Sequence, residues 1–266
     1  MGLRSIVADK IRKSKLTKVE AELERIQKYP RFTPGYTDIF GRQFRFRDSL
    51  SFVITYREIF INKIYAFKAV TGKSIILDCG ANMGLGTLYF SRNYPDHIIY
   101  AFEPDPQIYQ TLKENIDTLN LRNVVLLEKA IWDKEETLTF YGDNGMGSRA
   151  NTGYLDQTLP TNVESVRLYN YLTSEVDFLK LDIEGAENTV LRDCKERLQN
   201  LGSFFFEYHN DVSQAQMLDE LLAMVKDAGF HYYIKESWTR TSPFADKELI
   251  GGVFDMAINV FCYRHS

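Results

Sequence analysis

A glycine-rich turn follows a short apolar run near the middle of the chain. Its sequence is DCGANMG at positions 78–84, and glycines in such a turn let the backbone approach a ligand closely. The spacing differs from the G-x-G-x-x-G dinucleotide fingerprint and from the G-x-x-x-x-G-K-[ST] phosphate loop. An acid followed by two spaced glycines, here Asp78, Gly80 and Gly84, is better suited to bind the amino-acid part of a ligand than a pyrophosphate. A purely structural turn is the alternative.

A second acid, Glu103, ends the next apolar run, 25 positions after the acid of the turn. This is near the roughly 20 residues that separate a nucleotide-binding loop from the acid that holds the ribose. A carboxylate accepts hydrogen bonds from two adjacent hydroxyls, and Phe102 and Pro104 offer apolar surface for a purine. Glu103 could instead cap a helix, but Asp105 is better placed to do so.

Two later apolar runs also end in closely spaced polar residues. Lys180, Asp182 and Glu184 alternate along one run and should share a face, which permits an internal ion pair. Glu207 and His209 are two apart on the other run. A histidine near its usual pKa of about 6.5 can take a proton from a hydroxyl, and we expect Glu207 to orient the ring. A surface histidine without a role is the alternative.

Metal binding has weaker support in the sequence. Asp182 with Glu207 or His209 could hold Mg²⁺, an ion that prefers oxygen ligands, but nothing fixes the number of ligands, so we assign no metal and leave metal dependence open. The three cysteines are widely spaced: Cys79, Cys194 and Cys262. They are typical of reduced thiols in a cytoplasmic protein.

These polar residues need a fold that collects strand ends at one place. From residue 74 onward, predicted strands at 74–79, 97–103, 124–131, 176–183 and 203–209 alternate with helices, which predicts a largely parallel α/β sheet. Two closing strands, 231–236 and 256–263, have no helix between them and should pair antiparallel at one edge. Ligands of such sheets bind beyond the carboxyl ends of the strands. Ala130 and Ile131 would meet an adenine there, or else belong to the core.

Residues 1–72 have a different pattern. We expect an amphipathic helix over 3–28, a hairpin over 37–46 and a second helix over 51–70. Residues 1–47 contain 12 Lys/Arg and 5 Asp/Glu, so this segment could touch an anionic membrane surface or an acidic partner, or be a solvated face. The remainder is acidic, which disfavours nucleic acid. No apolar run has transmembrane or signal-peptide length.

The motifs LDCGANMGLGT, AFEPD, FLKLDIEGAE and FFFEYHN, between residues 75 and 210, resemble those of the FkbM-type S-adenosylmethionine-dependent methyltransferases. The resemblance implies a class I methyltransferase (Rossmann-like) fold, with a seven-stranded, mostly parallel sheet and an antiparallel last strand. This domain would span 73–266 and follow the extension at 1–72. The implied reaction is methyl transfer, typically to a hydroxyl of a sugar, a polyketide or another secondary metabolite.

The resemblance also assigns residues to the cofactor. It implies that the methionine end is held by Asp78, Gly80, Asn82 and Gly84. It places Glu103, beside Pro104, at the ribose and Asp182 beside the sulfonium. Ala130 and Ile131 would lie near the adenine. One departure is Tyr169-Asn170-Tyr171, where the family often has Thr-Leu-Asp, and this leaves the acceptor undefined.

We therefore expect an S-adenosylmethionine-dependent O-methyltransferase acting on a small molecule or glycan, with His209 as the base and Asp182 and Glu207 beside it. The loop at 142–153 is long enough to be a mobile lid or an acceptor loop, in which Ser148, Arg149 and Asn151 could contact a polar acceptor; a plain flexible loop is the alternative. N-methylation and a non-catalytic cofactor-binding scaffold remain alternatives. An NAD-dependent oxidoreductase is disfavoured by the glycine spacing.

Overall fold

A computed structural model of the chain describes residues 17–141, 149–150, 161–250 and 252–265. The first described element is helix α1, over residues 17–27; residues 3–16 of the predicted first helix lie outside the described part. A short antiparallel hairpin follows, formed by β1 (Gly35–Thr37) and β2 (Phe44–Phe46), as predicted. Helix α2 (Ser49–Tyr56) then continues into a single π-helical turn at Arg57–Ile61.

The second predicted helix is therefore shorter than expected, because it ends at residue 61 rather than 70. The chain beyond it is held by ring stacking instead of helical hydrogen bonds. The ring of Phe67 lies between those of Tyr94 and Phe178, with centroid distances of 4.1 and 4.6 Å. Aromatic residues at helical spacing can also pack a loop against the protein, so the sequence pattern did not distinguish a longer helix from a packed loop.

A seven-stranded sheet forms the centre of the molecule. Its strands are β3 (Ile75–Cys79), β4 (Ile98–Phe102), β5 (Val124–Leu127), β10 (Val176–Leu181), β11 (Ser203–Asp211), β12 (His231–Glu236) and β13 (Phe254–Tyr263). Their spatial order is β12-β13-β11-β10-β3-β4-β5. Six of these strands run in the same direction, and β13 runs in the opposite direction between β11 and β12. The predicted fold class is confirmed, including the antiparallel pair at one edge.

Four helices connect and cover these strands: α3 (Leu85–Asn93), α4 (Pro106–Leu119), α5 (Glu187–Asp193) and α6 (Leu218–Asp227). Helix α4 begins as expected, because the Asp105 carboxylate accepts hydrogen bonds from the backbone N–H groups of Gln107 and Ile108. The central strands are buried on both faces, as parallel strands covered by helices should be.

A second, smaller sheet lies beside the central one, and the sequence indicates only one of its strands, the short run over 137–141. Its strands are β6 (Ala130–Trp132), β7 (Thr137–Tyr141), β8 (Arg149–Ala150) and β9 (Thr161–Arg167), in the order β6-β9-β7-β8. The single strand predicted over 124–131 is wrong. The chain leaves the central sheet after Leu127 and resumes as β6, which pairs with β9 rather than with β4.

The N-terminal segment packs against one face of the central sheet. One buried cluster joins the two parts, because it contains Leu23, Ile26 and Phe52 of this segment together with Ile76 and Phe205 of the sheet. The N-terminal segment and the central sheet therefore share a hydrophobic core. Part of the basic charge serves this packing, since the side chains of Arg42, Arg45 and Arg47 bond to helix α4. Among the described residues, no helix combines the length and apolar character needed to cross a bilayer.

Candidate active site

A cavity of about 1030 Å³, including open space at its mouth, lies at the carboxyl ends of β3, β4 and β10. This is the edge at which doubly wound sheets bind ligands. The predicted residues Asp78, Gly80, Asn82, Glu103 and Asp182 line it, as do Pro104, Ala130 and Ile131. Helix crossovers place these sequence-distant positions together, because each follows a parallel strand that points to the same edge.

The loop after β3 makes a turn that requires glycine at its centre. Gly80 has a φ of 81°, and a Cβ there would lie 1.9 Å from the backbone oxygen of Asp182, so a side chain is excluded on both grounds. Gly84 has a different place from the one expected. It lies outside the cavity wall and begins helix α3 with a φ of 96°.

The Glu103 carboxylate anchors this loop. One oxygen accepts a hydrogen bond from the backbone N–H of Asn82 at 2.9 Å, and the other accepts from the N–H of Asp105 at 3.0 Å. Burial raises the pKa of Glu103 to about 7, against the opposing effect of these two donors. Each oxygen keeps a lone pair, so the carboxylate can accept two further hydrogen bonds from the cavity.

A buried lysine links two further acids of the wall, Asp78 and Asp182. Lys180 is 5% exposed, and its Nζ lies 3.7 Å from Oδ1 of Asp78 and 3.4 Å from Oδ2 of Asp182. It also donates to the backbone oxygen of Gly80. Burial lowers the pKa of Lys180, but the carboxylates of Asp182 and Asp78 outweigh burial and raise it overall. The internal ion pair allowed by the sequence is present, and it fixes the loop to β10.

His209 lies beside the cavity and differs from the sequence-based expectation. The described residues that line the cavity include neither His209 nor Glu207. Nδ1 of the ring lies 3.3 Å from Oε1 of Glu187, which also accepts from the backbone N–H of Ile183. Glu187 therefore orients the ring, whereas Glu207 lies 3.7 Å from the other nitrogen, Nε2.

The expected ordinary pKa for His209 is wrong. Burial disfavours the imidazolium, but the carboxylates of Glu187, Glu184 and Glu207 outweigh burial and raise the pKa of His209 well above its usual value. Burial, reinforced by Asp182, raises the pKa of Glu207 to about 7. The surrounding carboxylates therefore favour the imidazolium form of His209, and Glu207, with its raised pKa, is the neighbour suited to exchange a proton.

The same region contains a group of possible metal ligands. One ligand atom each from Asp182, Glu187 and His209 lie within 4.8 Å of one another. Within the described chain, however, Glu187 already accepts two backbone hydrogen bonds, from Ile183 and Gly185. The positive charges of His209 and Lys180 are the partners that the structure provides for these acids, so the geometry is explained by ion pairs.

A comparison with protein-family models assigns residues 78–232 to the "Methyltransferase FkbM domain". This match covers more than half of the 266 residues. The chain belongs to the FkbM methyltransferase family. Membership confirms the predicted family and, with it, S-adenosylmethionine as the class of cofactor.

Relatives of this FkbM chain bear related names. It is 33% identical to "Methyltransferase 1" of Beauveria bassiana over 161 residues, covering 52% of this chain and 65% of that protein. It is 28% identical to "2-O-methyltransferase NoeI" of Sinorhizobium fredii, covering 50% of this chain and 63% of that protein. The match therefore spans somewhat less than two thirds of either relative.

A solved structure supports the fold. The crystal structure of "Methyltransferase FkbM" from Methylobacillus flagellatus has a TM-score of 0.50 and 11% identity to this FkbM chain. The alignment covers 78% of this chain and 48% of that one. At this identity the likeness concerns the fold alone.

The cavity of this FkbM chain fits S-adenosylmethionine. Oδ1 of Asp78 is buried and has no hydrogen-bond partner among the described residues, so it is available to a bound donor. Asp78, Glu103, Asp182 and Glu184 outnumber the two lysines of the wall, Lys129 and Lys180, which favours a cationic ligand. Phe102, Pro104, Ala130 and Ile131 supply an apolar part of the wall, which suits the adenine of a nucleoside joined to an amino acid.

The sequence analysis missed one wall of the cavity. Ser51, Thr55, Ile59 and Tyr65 line it, and all precede the part that matches the family model. Ser51 and Thr55 are four apart in helix α2 and so share a face, but nothing in the sequence indicates what that face meets. The predicted acceptor loop at 142–153 lies outside the described residues except for the backbone of 149–150.

Proposed function

We propose that this FkbM-family chain transfers a methyl group from S-adenosylmethionine to a hydroxyl of a sugar, glycan or secondary metabolite. The observation that carries the proposal is Glu103, whose buried carboxylate closes the loop after β3 and still faces the cavity. This arrangement suits two adjacent ribose hydroxyls. The hydroxyl acceptor is supported by the name of a relative, a 2-O-methyltransferase.

We assign the rest of the cofactor to the same cavity. Asp78, whose buried Oδ1 has no hydrogen-bond partner among the described residues, and the backbone of Gly80 and Asn82 would bind the methionine end, while Gly84 would support this loop from the start of α3. Ala130, Ile131 and Pro104 would pack against the adenine, and Asp182 would balance the sulfonium charge. When bound, S-adenosylmethionine supplies an activated methyl group.

The chain's own residues then orient the acceptor and take its proton. A hydroxyl must lose a proton as it is methylated, and Glu207 lies 3.7 Å from Nε2 of His209, close enough for the charge of each group to affect the other. We assign proton uptake to this pair, with the Glu207 carboxylate receiving the proton and the imidazolium of His209 holding both Glu207 and Glu184 in position. Asp182 is held by Lys180 at 3.4 Å, on the cavity side of the pair.

Binding and product analysis test the proposal. Calorimetry with S-adenosylhomocysteine should show binding to the wild-type protein, and NAD should bind much more weakly; preference for NAD would contradict the cofactor assignment. Incubation with methyl-deuterated S-adenosylmethionine and a panel of glycosides and polyketides, followed by mass spectrometry, should show label on oxygen. Label on nitrogen would favour an N-methyltransferase, and binding without turnover on the whole panel would favour a scaffold.

Two further expectations belong to this proposal. The free cysteines are all buried, in keeping with a cytoplasmic protein. Contact between the basic N-terminal segment and an anionic membrane stays a prediction, and vesicle co-sedimentation at two salt concentrations would test it.

A further inference from the structure

The N-terminal wall of the cavity presents hydroxyl groups that have no partner. Ser51, Thr55 and Tyr65 all line the cavity. Within the described part of the chain, none of these three side-chain hydroxyls makes a hydrogen bond, although the Ser51 backbone N–H donates to Asp48. Ser51 and Thr55 are half-buried and Tyr65 is buried, and all three side chains border the cavity, so their hydroxyls are available for hydrogen bonds to a bound ligand.

Packing fixes the direction of the Tyr65 side chain, which is 6% exposed. Its ring lies against Phe205 and Phe178, at centroid distances of 5.1 and 6.5 Å. On this face of the sheet, the next residues toward the strand ends are Lys180 on β10 and Glu207 on β11, because alternate residues share a face. The Tyr65 ring therefore packs beside apolar residues of the sheet, and its hydroxyl extends toward the polar residues that follow them along the strands.

Charge limits what the hydroxyls of this wall would bind. Burial, followed by the charges of Asp182 and Glu207, raises the pKa of Tyr65 well above its usual value. Tyr65 is therefore a neutral hydrogen-bond donor. An anionic ligand would meet the carboxylate of Asp182, which lines the cavity, and be repelled, while a hydroxyl group could donate to that carboxylate.

We infer that Ser51, Thr55 and Tyr65 form the acceptor side of the cavity, and that Tyr65 positions an uncharged, hydroxylated acceptor through a hydrogen bond from its phenol. The inference rests on the proposed function, because it places the acceptor opposite the cofactor. It assigns specificity to a segment that precedes the matched family domain at 78–232. Tyr65 is a positioning residue and takes no part in the chemical step.

Saturation-transfer NMR tests this with the full-length protein saturated with S-adenosylhomocysteine. The probes are the methyl glycosides of fucose, mannose and glucose, with glucuronate and glucosamine as charged comparators. We expect a neutral glycoside to bind and Tyr65→Phe to weaken it about two- to tenfold, the value of one hydrogen bond. Tyr89→Phe is the matched control, since it removes the hydroxyl of another buried tyrosine that does not line the cavity.

The controls separate this inference from the proposed function. S-adenosylhomocysteine affinity and the thermal midpoint should be equal in wild type, Tyr65→Phe and Tyr89→Phe, because the Tyr65 phenol makes no internal hydrogen bond to lose. The inference is overturned if Tyr65→Phe binds the glycoside as wild type does, if no neutral glycoside binds, or if a charged sugar binds better. If the wild-type protein does not bind S-adenosylhomocysteine, that result would instead contradict the proposed function.

Discussion

Cofactor affinity should depend on pH through Glu103. Burial raises the pKa of this carboxyl to about 7, and only the ionised form can accept hydrogen bonds from both ribose hydroxyls. With that pKa, roughly nine tenths of the groups are ionised at pH 8 and roughly one tenth at pH 6. The affinity for S-adenosylhomocysteine should therefore fall about tenfold from pH 8 to pH 6, which corresponds to about 1.4 kcal/mol.

Glu103→Gln is the informative variant. It keeps the shape of the side chain but cannot ionise, so its affinity should be about tenfold weaker than that of the wild type at pH 8 and flat between pH 6 and 8. Isothermal calorimetry at several pH values measures both quantities. Glu207→Gln is the control, because its carboxyl has a similar pKa of about 7 but lies outside the cavity wall; it should keep the wild-type pH dependence.

Stability provides a second measurement on the same variant. Because the folded-state pKa of Glu103 is raised above its unfolded value, the folded protein holds this proton more tightly. The contribution of Glu103 to stability is complete below about pH 4.5 and is lost as the pH rises to about 7. Thermal unfolding should show the wild type losing stability over this window more steeply than Glu103→Gln. Wild-type affinity that does not change with pH, or equal pH dependence in Glu103→Gln, would refute the reasoning.

Three other substitutions test the remaining parts of the site. Lys180→Met leaves Asp78 and Asp182 without their cation and should destabilise the fold by about 3–5 kcal/mol in urea unfolding; adding Asp78→Asn should recover part of the loss. Gly80→Ala places a Cβ 1.9 Å from the oxygen of Asp182 and should abolish S-adenosylhomocysteine binding in calorimetry; near-normal affinity would mean that this loop is not the binding element. His209→Gln should lower turnover on a verified acceptor and change cofactor affinity little; unchanged turnover would remove His209 from the mechanism.

The cofactor half of the cavity was predictable from sequence because it depends on local order. Asp78, Glu103 and Asp182 each follow an apolar run, and parallel crossovers bring the ends of such runs to one edge. The acceptor half depends on contacts between distant segments. Tyr65 reaches the cavity only because its ring packs on Phe205, and a single sequence carries no signal for that pairing.

The environment of His209 also depends on contacts that could not be predicted from a single sequence. Its spacing from Glu207 predicts that both side chains lie on one face of a strand, but the raised pKa comes mainly from Glu187 and Glu184. Glu187 is the first residue of α5, and Glu184 lies in the turn between β10 and α5, where it adopts a left-handed φ of 55°. A non-glycine residue in that conformation is uncommon, so the turn that completes the cluster could not be read from residue spacing.

The position of Asp78 gives an argument against a diphosphate ligand that is independent of glycine spacing. The first turn of a helix attracts anions because its N–H groups are unpaired and its dipole is positive there. In this chain Asp78 already occupies that place: its Oδ2 accepts from the Thr87 hydroxyl of the first turn of α3 at 2.6 Å and lies 3.3 Å from a Cβ built on Gly86. In dinucleotide-binding folds, a phosphate of the ligand supplies the negative charge at the start of this helix. In this chain the Asp78 carboxylate supplies it instead. The cavity then meets its ligand with carboxylates, which suits an ammonium or a sulfonium and repels a pyrophosphate.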